Sequence, residues 1–258
     1  MTPGGPTGSG AGRRPRFNPS RQNLIIVAVA VVLIALVIRS HKLQSDQLIY
    51  FCVLIPSIIL HEVSHGAVAL AFGDTTAKRS GRLSLNPVRH VDPVGTLLVP
   101  AVLSLSGVGA YGWAKPVPVN PNGLRHPRND IIAVSLVGPL TNFVLAALMG
   151  VCFVAAGGRA NILAQGPFIN PSLFGLVQQI FFYAGIANIV LGVFNLIPCP
   201  PLDGAAVLER FIPGRRLPAY YELQPFLMFL PFLLILIFHS AWSSLINDIV
   251  NWWVNRLA

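Results

Sequence analysis

Residues 49–72 read IYFCVLIPSIILHEVSHGAVALAF, an apolar stretch carrying His61, Glu62 and His65 near its middle. Its length matches what an α-helix needs to cross a hydrocarbon core. In that helix His61 and His65 lie one turn apart on a single face, where both imidazoles reach one zinc ion. Glu62 stands beside them as a general base for water. Three ionisable groups inside a hydrocarbon-length segment are costly, and in such a setting they mark function.

The rest of the chain agrees with a membrane setting. Of 258 residues, 53% are hydrophobic and 10% charged, and the mean hydropathy is +0.65. These values describe an integral membrane protein. The net charge of +9 does not imply a nucleic-acid partner, because the arginines sit in short segments flanking apolar runs, as membrane topology selects. Cys52, Cys152 and Cys199 are odd in number and lack framework spacing, which excludes a disulfide scaffold.

Residues 1–22, rich in Gly, Pro and Arg, are expected to form a disordered cytoplasmic tail, and 23–258 a single membrane-embedded domain. Apolar runs follow at 24–38, 49–72, 95–111, 131–156, 177–198 and 225–239. Basic residues before the first run (Arg13, Arg14, Arg16, Arg21) put the N-terminus in the cytoplasm. If 95–111 enters and leaves on one side, the later basic clusters also become cytoplasmic. The expected architecture is therefore all-α and polytopic, with about five spanning helices and a re-entrant or interfacial segment at 95–111. The segments near 80–90 and 115–121 read as short extended strands, since prolines at 116, 118 and 121 exclude a helix. From Trp242 to Leu257 apolar residues recur at helical spacing, which predicts an amphipathic helix lying in the interface with its tryptophans as anchors, or continuing the last span.

A catalytic zinc site needs a third protein ligand and an open fourth position. His41, His90, His126 and His239 fall in loops or at helix ends. Asp203 is the better choice, at the cytoplasmic end of its helix on the side that holds His65. The prolines at 198, 200 and 201 unwind the chain before it, and Gly204 relieves crowding after it.

With HExxH at 61–65, Gly138-Pro139 and Asn142 in a later apolar run, and Asn195, Pro198, Leu202-Asp203-Gly204 beyond, residues 49–210 resemble the site-2 protease family of intramembrane zinc metalloproteases, peptidase family M50. The segments 81–87, 90–95 and 112–121 are similar to its compact bacterial branch, which has neither a PDZ nor a nucleotide-sensing domain. The resemblance implies a core of three helices, 49–72, 131–156 and 177–198. One Zn2+ would be bound by His61, His65 and Asp203, with Glu62 activating water. It further implies a membrane-spanning or membrane-anchored protein as substrate, held as an added strand along the extended segments and cut towards the cytoplasmic side. Asn195 would assist in binding the substrate backbone or the developing oxyanion. Asn142 is a second residue for that work, or else packs the core through an interhelical hydrogen bond. The competing functions are a membrane metal transporter or sensor, and an inactive relative that only binds substrate.

Overall fold

The computed structural model describes residues 45–92, 115–165, 169–227 and 230–258, together with Val32. Nine α-helices are described: α1 (Ser45–Ala71), α2 (Thr76–Arg79), α3 (Pro127–Ala155), α4 (Gly158–Gln165), α5 (Leu176–Asn195), α6 (Gly204–Phe211), α7 (Leu217–Leu227), α8 (Leu230–Ile237) and α9 (His239–Leu257). Among the described residues three stretches are long and apolar enough to cross a membrane: Leu48–Ala71 within α1, all of α3, and all of α5. These three helices pack against one another pairwise and form the centre of the molecule.

Polar groups link α1 and α5 where lipid would leave them unsatisfied. Asn188 on α5 donates to the Ser57 hydroxyl on α1 at 2.9 Å and to its own Ala184 carbonyl at 2.8 Å. Ser57 in turn donates to the Val53 carbonyl at 2.8 Å. Further along the bundle, Phe153, Phe174, Phe182 and Trp253 stack with centroids 5.2–6.1 Å apart. Trp253 fits because a Cβ at Gly185 would fall on its ring.

Within the expected span at 225–239, residues 228 and 229 lie outside the described residues, with α7 before them and α8 after them. Pro231 has no N–H to offer the Leu227 carbonyl, which instead faces the Cys199 thiol at 3.5 Å. The run 24–38 (apart from Val32) and the run 95–111 lie outside the described residues. The expected strands are also absent among the described residues. Pro87–Arg89 is a 3-10 turn capped by the Asn86 side chain, and residues 115–120 are without regular structure. Pro116 and Pro118 lack N–H groups, so no ladder forms. The Lys115 N–H goes to the His90 carbonyl at 2.9 Å.

The C-terminal helix exists as expected but packs differently. Trp242 lies against Phe194 and Trp253 against Phe182, each with centroids 6.1 Å apart. α9 thus runs antiparallel along α5. Trp253 is a core residue and not an interface anchor, while Trp252 is exposed beneath the Arg256 guanidinium.

α1 ends where Gly73, at φ 110°, turns the chain back. Asp74, 2% exposed, then accepts from the Thr76 N–H at 2.8 Å, the Thr76 hydroxyl at 2.5 Å and the Asn120 N–H at 2.7 Å. Burial opposes its charge, but these bonds from Thr76 and Asn120 outweigh it and hold the carboxyl below its usual range. A depressed folded pKa means stability present above the unfolded value, about 3.9, and lost as pH falls through the folded one. Asp74→Asn should therefore lower stability by about 1–3 kcal/mol at pH 7, with the gap between the two proteins narrower at pH 3, below the unfolded value. Thermal melts in detergent at both pH values check this, and an equal gap at pH 3 would refute it.

Candidate metal centre

His61 and His65 project from one face of α1 and are 6% and 7% exposed. Asp203 reaches them because the chain unwinds after α5. Pro198, Pro200 and Pro201 withhold their donors, and short bonds such as Leu202 N–H to the Cys199 carbonyl at 3.0 Å fold the loop back. Gly204 permits the return: a Cβ there would lie 2.6 Å from the Ile197 carbonyl oxygen and closer still to that of Leu196.

Donor atoms of three side chains converge. The two Nε2 atoms are 3.1 Å apart, His61 Nε2 is 3.0 Å from Asp203 Oδ2, and His65 Nε2 is 3.4 Å from Asp203 Oδ1. Tetrahedral zinc with bonds of about 2.0–2.1 Å separates its ligands by about 3.3 Å, so the spacing fits that ion. Asp203 Oδ2 is buried without a hydrogen-bond partner, as a metal-facing oxygen would be. Burial opposes the Asp203 charge, yet His61 and His65 beside it prevail and hold its carboxyl below the usual range.

The outer nitrogens are also anchored. His65 Nδ1 is 2.6 Å from the Val134 carbonyl on α3. A carbonyl only accepts, so Nδ1 carries the proton and Nε2 keeps its lone pair for a metal. His61 Nδ1 is 3.1 Å from the Asn142 amide nitrogen, while Asn142 Oδ1 is buried without a partner. The two amide atoms are interchangeable by rotation. Metal binding requires the orientation with Oδ1 accepting from His61 Nδ1–H, which also satisfies the orphaned oxygen.

Glu62 points towards the extended segment, where its Oε2 accepts the Val117 N–H at 2.7 Å. Val117 is fixed by packing over Gly66, where a Cβ would lie 2.9 Å from Val117 Cγ1. Gly138 supplies the floor of the site. A Cβ there would fall on the His65 ring and 2.6 Å from His61 Cε1.

The structure thus brings His61, His65 and Asp203 together with Glu62 adjacent. Asn142 sits beneath His61, fully buried. The Asn195 amide donates to the Leu191 carbonyl of its own helix at 3.0 Å. His90 is buried elsewhere against the Ser84 carbonyl, His126 precedes α3 as its N-cap, and His41 lies outside the described residues. Cys199 is buried, which pushes its thiol up and away from nucleophilic use. Sequence reasoning missed Gly138 and Val117. Gly138 is one turn from Asn142, so a helical wheel puts both on one face. Alternating prolines leave Lys115 and Val117 as the donors on one edge of their segment.

The family model of peptidase family M50 matches residues 162–238. A Bacillus subtilis (strain 168) protein named "Putative zinc metalloprotease YwhC" is 39% identical over 160 residues, covering 62% of this chain and 67% of that one. A Mycobacterium tuberculosis (strain H37Rv) protein named as the zinc metalloprotease Rip2, with the same qualifier, is 32% identical over 198 residues, covering 76% and 69%. Its Mycolicibacterium smegmatis namesake is 31% identical over 159 residues, and there the match spans about half of the relative, 53%. No solved structure matches the chain.

Proposed function

Because the chain belongs to peptidase family M50 and is a metalloprotease, we propose that it hydrolyses a peptide bond in or near the membrane-spanning segment of a protein substrate. His61, His65 and Asp203 hold one zinc ion in this reading and Glu62 is the general base. The observation that carries it is the meeting of the two imidazole Nε2 atoms with the Asp203 carboxylate oxygens at 3.0–3.4 Å, between helices able to cross a membrane. A transporter would distribute such groups along a path, whereas here they gather at one point with a carboxylate beside them.

Zinc bound there supplies Lewis acidity, polarising a peptide carbonyl and acidifying water. The protein's own groups do the rest. Glu62 takes the proton of the attacking water and passes it to the leaving amine. The Val117 N–H holds one carboxylate oxygen of Glu62 and leaves the other free to accept. Val134 and Asn142 fix the two imidazole tautomers. That assigns Asn142 to ligand orientation in place of substrate binding. Asn142→Leu should weaken zinc affinity by about 10–100-fold, read by competition with a chromophoric chelator; unchanged affinity would return Asn142 to the substrate.

A peptide bond in a membrane helix is shielded by its own hydrogen bonds and by the absence of water, so the substrate must unwind locally. The segment 115–120 offers it an extended edge beside Glu62. Basic flanks place the site towards the cytoplasm, with the N-terminus on the same side. The test is incubation of the purified, zinc-loaded protein with a panel of single-span membrane substrates. Cleavage of at least one is expected, blocked by chelation and restored by zinc. Stoichiometric zinc without any cleavage favours a binding or sensing role. A cysteine introduced at Arg125 should react only from the cytoplasmic side.

A further inference from the structure

Helix α9 exposes six polar side chains, Ser240, Ser244, Asn247, Asp248, Asn251 and Asn255. At 100° per residue they occupy one arc roughly 100° wide, with no apolar residue inside it. Among the described residues none of the six side chains has a hydrogen-bond partner. Opposite them Trp253 is buried against the core, and Val254, at the edge of the arc, is buried too.

The arc lies deep. Trp242 meets Phe194 and Trp253 meets Phe182, so α9 follows α5 over about 17 Å of helix. That length falls inside Leu176–Asn195, a segment apolar enough to span a membrane. On the membrane placement in the proposed function, Ser244, Asn247, Asp248 and Asn251 face hydrocarbon. Uncovered amides and a carboxyl are costly there.

Something must satisfy them. Lipid tails have no donors or acceptors. The apolar run 24–38, LIIVAVAVVLIALVI, has no hydrogen-bonding side chain either. A second copy does have them. Two copies inserted in the same direction are related by a twofold axis along the membrane normal, which brings like residues together. Ser and Asn suit such an axis, because each side chain both donates and accepts. Ser240, Ser244, Asn247 and Asn251 follow the alternating four- and three-residue spacing of a parallel helix seam, and asparagine in a seam fixes register and partner number.

We propose that α9 is the seam of a parallel homodimer, with two copies of this chain meeting along Ser240, Ser244, Asn247 and Asn251 and with Asp248 and Asn255 at its margin. The buried, core-facing side of α9 stays with its own α3 and α5.

The full chain reconstituted in liposomes, with Cys52, Cys152 and Cys199 changed to Ala, tests this. Under mild oxidation Ser244→Cys should cross-link to a dimer, while Leu245→Cys, exposed but about a quarter turn or more off the seam, should not. Asn247→Leu with Asn251→Leu should weaken dimerisation by roughly tenfold or more in single-molecule photobleaching across a dilution series, with zinc content unchanged. A monomer at every density, equal cross-linking at both positions, or a double variant that dimerises as well as the parent would overturn the seam. So would reaction of the Ser244→Cys thiol with a membrane-impermeant maleimide, which would show a water-filled face, or cleavage lost in the double variant without any change in dimer, which would show a substrate-docking face. Release of the protein by alkaline carbonate would overturn the membrane placement and the seam with it, whereas a monomer retained in the membrane overturns the seam alone.

Discussion

Glu62→Gln is expected to retain stoichiometric zinc and to lose peptide cleavage by about 10²–10⁴-fold, the usual contribution of a positioned general base. The zinc half follows from geometry. The three donor atoms belong to His61, His65 and Asp203, and Glu62 contributes none of them. The activity half follows from chemistry. Glutamine has nearly the shape of glutamate, and its amide oxygen can still accept the Val117 N–H that now reaches Oε2 at 2.7 Å. It cannot take a proton from water near neutral pH. Metal analysis and initial rates on one substrate read both halves together. Full activity in this variant would remove Glu62 from the mechanism, and loss of zinc would mean that it helps to build the site.

Gly138→Ala is expected to lower zinc affinity by roughly 10–100-fold, on an overpacking strain of about 1–3 kcal/mol. The added Cβ would fall on the His65 ring and 2.6 Å from His61 Cε1. Those rings have little freedom to retreat. His65 is tied to the Val134 carbonyl at 2.6 Å and His61 to Asn142 at 3.1 Å, both on the helix that carries residue 138. Alanine favours a helix over glycine by about 1 kcal/mol, so weakened α3 cannot account for the loss. Chelator competition on the purified variant, with its helix content checked by circular dichroism, decides the matter. Wild-type affinity would show that α3 shifts to accommodate a methyl group.

Much of the site could be read from spacing. Two histidines four apart share a helix face wherever the helix lies, and a proline-broken Asp-Gly segment after an apolar run is a plausible source for a third ligand. The resemblance to M50 proteases added the three core helices, and α1, α3 and α5 match those runs. Other parts were less legible. Asn195 sits in a motif that suggests substrate contact, and in the structure its amide donates to the Leu191 carbonyl one turn back. In the run 225–239, Pro231 has no N–H to offer the Leu227 carbonyl, and Cys199, from another loop, meets that carbonyl. Periodicity shows that α9 has two faces; it does not say which surface each one meets.

The chain's own order and spacing therefore gave the all-α class, the paired histidines with their glutamate, and the aspartate that the structure brings beside them. These rest on local rules: the 3.6-residue turn, the length of a bilayer, and the missing N–H of proline. Tertiary packing decided that Asn142 serves His61, that Gly138 must lack a side chain, that Val117 holds Glu62, and that Trp253 belongs to the core. Those outcomes depend on how one helix is rotated and offset against another, which is fixed by the fit of side chains on both and is written in neither sequence segment alone.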